Sequence, residues 1–220
     1  MSLADSSVAI TAGSGTTIAT STVGSKLHQV VMQADASGHI AGSLPTYFYC
    51  SPPSAVGANK LHLDLFNATG SGKIIDIRGL WLIPKTDVAV VGAVASRIDV
   101  YRTSAVGTGG TAAATDSATV DVAGGNFTKF DESNSAIPAQ ITARLIPTGG
   151  ATISRWLFPT FVPMEETATS MAYISQFQNL IPALTFGQKL VVRENTGLLF
   201  KQGSVVSVGS LTILIAFTLE

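Results

Sequence analysis

From Leu61 onward, apolar and polar residues take turns along the chain. In "KLHLDLFNA", Leu61, Leu63 and Leu65 share one phase, with His62 and Asp64 on the other. "KIIDIRGLWLIP" sets Ile75, Ile77, Trp81 and Ile83 against Asp76 and Arg78. A repeat of two is that of a β-strand whose faces meet different surroundings. Gly70-Ser71-Gly72 lies between the two runs, and together they predict a hairpin with a short glycine loop. "VASRIDVYRTS" continues the pattern, with Ile98 and Val100 inward and Arg97, Asp99 and Tyr101 outward. "AQITARLIP", "QKLVVREN" and "TGLLFKQ" read as strands, and "ATVDV" as a short one. In "SLTILIAFTLE", Leu211, Ile213, Ile215, Phe217 and Leu219 share a face. The opposite face carries Leu214 and Ala216 and no charge before Glu220, so a neighbour is expected to cover part of it.

Between these runs the chain is small and polar. Residues 104–118 and 124–138 read as loops. "PTYFYCSPP" reads as a connector whose aromatics pack on the main body, because Pro45, Pro52 and Pro53 forbid a helix. "ATISRWLFPTFVP" is extended and aromatic, and residues 164–182 give the one predicted helix, ended by Pro182. Residues 1–45 have little to bury beyond the alternation from Leu27 to Met32, and they read as an extended N-terminal arm. About eight short strands with Gly, Ser, Asn and Pro turns predict an all-β domain over 46–220, an antiparallel β-sandwich or barrel.

Composition sharpens the picture at one point. Charged residues make up 12% of the chain, against roughly 25% in soluble domains. The net charge of −1 has no basic or acidic block behind it, so a nucleic-acid partner is not expected. The mean hydropathy of +0.38 comes without any run long enough for a spanning helix, so no membrane partner is expected. The N-terminus does not read as a signal peptide. A chain that is apolar and weakly charged hides surface in an assembly, and a closed homo-oligomer is the commonest one. The single cysteine, Cys50, forms no intrachain disulfide.

Candidate chemistry is sparse. His28, His39 and His62 lack ligand spacing and read as exposed histidines, so no metal is expected. Asp131-Glu132 and Glu165-Glu166 are adjacent carboxylates, which point to opposite faces of a strand and make no acid/base couple. "GSGT" (13–16), "GSGK" (70–73) and "GTGGT" (107–111) resemble phosphate loops, but the first and third have no Lys at the expected offset, and the second, which has Lys73, lies between strands and reads as a hairpin turn with no helix to supply a dipole. Asn67 and Asn126 head glycan-acceptor triplets. Trp81 reads as core, and Trp156 as a subunit contact or core position rather than a sugar platform. No cofactor and no catalytic residue emerge.

Three stretches resemble tailed-bacteriophage virion proteins. "VAITAGSGTTIATSTVGSKLHQVVMQADASG" is similar to the opening arm of phage structural proteins. "LFNATGSGKIIDIRGLWLIP" resembles a strand, turn and strand of head and decoration proteins, and "LVVRENTGLLFKQGSVVSVGSLTILIAFTLE" their closing strands. The resemblance covers under half of the chain. It implies a jelly-roll-like sandwich located in the virion. On that basis the expected function is non-enzymatic: a capsid decoration (cement) protein, a homotrimer docked on the major capsid protein or other virion proteins. Trp156, Phe158, Phe161, Leu214 and Phe217 are the expected interface residues. The alternative is a tail, fibre or lectin-like sandwich that grips host glycan through Trp156, Tyr101 or the 104–118 loop.

Overall fold

A computed structural model describes residues 20–23, 26–29, 45–85, 94–119, 122–164, 179–181, 188–205 and 209–220. The chain forms two compact units, Met1–Gly42 and Ser43–Glu220. In the first, β1 (Thr20–Val23) and β2 (Lys26–Gln29) pair antiparallel.

The second unit is built from β3 (Thr46–Cys50), β4 (Ser54–Ala55), β5 (Leu61–Asn67), β6 (Ile75–Lys85), β7 (Val94–Ala105), β8 (Thr111–Ala112), β9 (Ala114–Thr115), β10 (Asn126–Lys129), β11 (Ile141–Leu145), β12 (Thr152–Met164), β13 (Leu190–Val192), β14 (Thr196–Gln202) and β15 (Ser210–Leu219). One sheet runs β13-β6-β15-β3-β10-β9, with β4 also paired to β15; the other runs β12-β7-β14-β5-β11-β8. Eight of these strands (β3, β5, β6, β7, β12, β13, β14 and β15) can be numbered one to eight in chain order. The β15 sheet then reads 6-3-8-1 and the β14 sheet 5-4-7-2. That interleaving of two Greek keys is the jelly roll. The excursion between β7 and β12 adds β9 and β10 beyond β3, and β8 and β11 beyond β5. It widens both sheets on the same side.

The core lies between the sheets. Leu211, Ile213, Ile215, Phe217 and Leu219 of β15 all face it. Leu63 and Leu65, Ile98 and Val100, and Leu198 and Phe200 meet them from the β14 sheet. An aromatic cluster fills one end. Phe217 stacks on Tyr47 with ring centroids 5.6 Å apart and meets Phe127 edge-on at 6.1 Å. The hydroxyls of Tyr47 and Tyr49 donate to the carbonyls of Ser135 and Gly124, so burying them leaves no donor unmet.

Several expectations need correction. The runs around Gly70-Ser71-Gly72 do not form a hairpin: β5 lies in one sheet and β6 in the other. The turn is a crossing between layers, tied by Asn67 Nδ2, which donates to the carbonyls of Lys73 and Val192. "PTYFYCSPP" is not a connector. Its residues 46–50 are β3, paired with β15 on one side and β10 on the other. Pro52 and Pro53 interrupt it, and the Ser51 hydroxyl accepts the N–H of Ile213 before β4 resumes pairing. The loops read over 104–118 and 124–138 contain β8, β9 and β10. Trp81 is not core. A bulge where Ala216 pairs Gly79 and Phe217 pairs Ile77 shifts the phase of β6. Leu80 and Leu82 therefore take the inward positions, and Trp81 turns outward with its ring over Gly79, where a Cβ would stand 2.3 Å from the indole. The helix expected over 164–182 falls almost wholly outside the described residues, and Met164 ends β12 instead.

Candidate functional site

Each sheet presents an outer face, and the two differ in chemistry. On the β14 sheet, β7 buries Ile98 and Val100 and so turns Arg97, Asp99 and Tyr101 outward. Cross-strand register sets Lys201 of β14 opposite Asp99 and Trp156 of β12 opposite Tyr101. A bulge between Trp156 and Phe158 shifts the phase of β12. Phe161, opposite Arg97, thereby shares the outer face with Trp156.

Asp99 organises this face. Its Oδ1 accepts from Arg97 Nε at 2.9 Å, Arg97 Nη2 at 2.8 Å and Trp156 Nε1 at 2.9 Å. Charge assistance makes such bonds strong, and together they fix the plane of the indole. Among the described residues Asp99 Oδ2 accepts no hydrogen bond and Lys201 forms no ion pair. Burial, and secondarily the Asp99 charge, pushes the Tyr101 phenol above its ordinary value. Beside these groups lies a groove of about 320 Å³, lined also by Asn59, Gln202 and residues 203–205.

The outer face of the β15 sheet is apolar and uncharged at its centre. One cross-strand row is Trp81, Leu214, Cys50 and Asn126; the next is Gly79, Ala216, Phe48 and Thr128. Ile83 and Thr212 make a third. Trp81, Ile83, Leu214 and Phe48 are half-buried and Cys50 is exposed. Phe130 is 74% exposed and rests its ring 5.5 Å from that of Phe48.

The five expected interface residues scatter. Trp156 is 48% and Phe161 62% exposed on the outer face of β12. Phe158 is partly buried and packs against the core. Leu214 stands on the outer face of the other sheet. Phe217 is fully buried. It offers no surface to a partner, because its phase on β15 is that of the inner face.

His62 is not an exposed histidine. It is fully buried, with Nδ1 3.2 Å from Ser54 Oγ and Nε2 3.2 Å from Gln202 Oε1. Burial pulls its pKa down to about 4, against the opposing effect of the Gln202 hydrogen bond. Asp64 is buried too, its Oδ2 accepting the N–H of Gly107 from the "GTGGT" segment, and burial raises its pKa. His28 lies on β2, and His39 lies outside the described residues. "GSGK" does cradle an anion, but the chain's own. Gly70 and Gly72, both at positive φ, donate their N–H groups to Glu194 Oε1 at 3.1 and 2.8 Å, and Ser71 Oγ joins at 3.2 Å. Those bonds hold the Glu194 carboxyl below its ordinary range, the Gly72 amide foremost. Asn67 is fully buried, so that glycan triplet is unreachable, while Asn126 is half-buried. Asp131 and Glu132 are exposed, and Glu165 and Glu166 lie outside the described residues. Among the described residues no group of three or more His, Cys, Asp or Glu is placed to hold a metal ion.

No protein-family model matches the chain, and no curated protein or solved structure does either. Alternation placed Arg97, Asp99 and Tyr101 outward. Only register between distant strands brings Lys201 and Trp156 to them, and no local motif signals that meeting.

Proposed function

We propose that this chain is a non-enzymatic structural component of a virion, a capsid decoration (cement) protein that works as an oligomer, a trimer, on the major capsid protein or its neighbours. The observation that carries this reading is the outer face of the β15 sheet. Its central rows hold no charged residue and present Trp81, Ile83, Leu214 and Phe48, with Phe130 beside them. Contiguous apolar surface on a folded sheet marks a contact, and contact cores are depleted in charge. Jelly rolls build both viral shells and lectins, so the fold alone does not choose between them. The uncharged face supports assembly.

The test is the solution mass of the intact chain by light scattering across the micromolar range. A trimer is expected, with the exposed Cys50 thiol slow to react with a maleimide. Leu214→Asp and Phe130→Asp should return a folded monomer whose Cys50 reacts fast, with far-UV circular dichroism unchanged. A wild-type monomer with freely reactive Cys50 at every concentration would sink the reading.

A further inference from the structure

The groove on the β14 sheet is built for a ligand rather than for a sister copy. Its lining holds a carboxylate with one oxygen unclaimed and, among the described residues, a lysine without an ion pair; a fixed indole, hydrogen-bonded to that carboxylate, stands beside it. The Trp156 indole is pinned by its N–H to Asp99, so its exposed ring is a platform set before anything binds. Phe161 extends that apolar surface along β12. Asp99 spends Oδ1 on three donors and leaves Oδ2 as an acceptor beside the groove. Lys201 and Asn59 border the same groove with donors. All but Asn59 sit on paired strands, which hold geometry better than loops do.

An apolar plate next to fixed acceptors and donors suits a ring with one carbon–hydrogen face and a rim of hydroxyls. That is a saccharide. The charge balance narrows the class. Arg97 and Lys201 supply two cations against the single carboxylate of Asp99 among the residues bordering the groove. A neutral sugar would leave the Lys201 ammonium unanswered, whereas a sugar carboxylate or sulfate would answer it. We propose that this groove binds an acidic saccharide, its ring stacked on Trp156, its hydroxyls donating to Asp99 Oδ2 and its acid group on Lys201. The site lies on the sheet opposite the uncharged face, so it does not depend on the assembly reading.

The experiment uses the full chain on a panel of immobilised oligosaccharides ending in sialic or uronic acids, beside their neutral counterparts, followed by calorimetric titration of the strongest. Acidic members should bind, and the matched neutral ones about tenfold or more weaker. Trp156→Ala and Lys201→Gln should each weaken binding by about tenfold or more. Phe130→Ala, on the other sheet, should change nothing. Lys201→Gln removes only a partly exposed charge, so the fold survives in at least one informative variant, with circular dichroism as the check. Equal binding of neutral and acidic members overturns the acidic class. No binding on the panel, or binding indifferent to both variants, overturns the site. Loss of sugar binding with the trimer intact, or the reverse, separates this inference from the proposed function.

Discussion

At the scale of single residues, His62 shows how a polar group is put to use inside a sandwich. Its ring is sealed by Ser54 and Gln202, and desolvation favours the neutral form. An unfolded chain takes up the proton near the ordinary value of 6.5, whereas the folded one resists until about 4. Stability from this group is therefore complete above pH 6.5 and drains away as the pH falls towards 4, by about 3 kcal/mol in all. Buried Asp64 acts in the opposite sense, since a raised carboxyl pKa favours the folded state on acidification. Chemical denaturation between pH 7 and 4, in wild type and in His62→Gln, isolates the histidine: the slope should shrink in the variant. An identical slope in both would refute the assignment. The alternation of β5 showed that His62 opposes Leu63. It did not show that Ser54 and Gln202 would close over the ring, because they arrive from eight and 140 residues away. The same limit hid the carboxylate in the Gly70–Gly72 turn, since Glu194 comes from 122 residues beyond Gly72.

At the scale of elements, strand edges decide how the molecule meets others. β8, β9 and β13 are two or three residues long and end three of the sheet edges. Among the described residues the fourth edge strand is β12, which spans Thr152–Met164 and would be an open template for another strand. It carries Pro159 and Pro163, opposite Asp99 and Ala95, and three register shifts. A proline pairs without harm only where its missing N–H would point away from the ladder, so both positions blunt the open side. Pro159→Val with Pro163→Val should restore two donors there and raise self-association, seen as higher-mass species in size-exclusion chromatography. A variant as monodisperse as wild type would show that the bulges alone protect the edge. Element type was legible wherever alternation ran unbroken: β5, β7 and β15 follow it. It failed at β6, where one bulge exchanged Trp81 for Leu80 and Leu82. It failed again at β3, where the flanking prolines masked a strand whose Tyr47 and Tyr49 are core.

At the scale of the molecule, the sequence pointed to a sandwich, yet the strand order was out of its reach. A hairpin and a crossing between layers use the same Gly-Ser-Gly chemistry, and only long-range pairing tells them apart. The groove is subject to the same limit: three outward residues of β7 were readable, while the partners from β12 and β14 depended on register. That dependence has a consequence in time. β15 sits between β3 and β6, so neither can find its neighbour on that side until residues 210–219 exist. On the ribosome, the earliest strand of the sandwich waits unpaired until β10 is made, and then half-satisfied, through the synthesis of some 160 residues separating Cys50 from its partner Leu214. Refolding should be correspondingly slow, in the millisecond-to-second range of topologies rich in distant pairings. Stopped-flow tryptophan fluorescence would record it, and a microsecond phase carrying the whole amplitude would contradict this order of events.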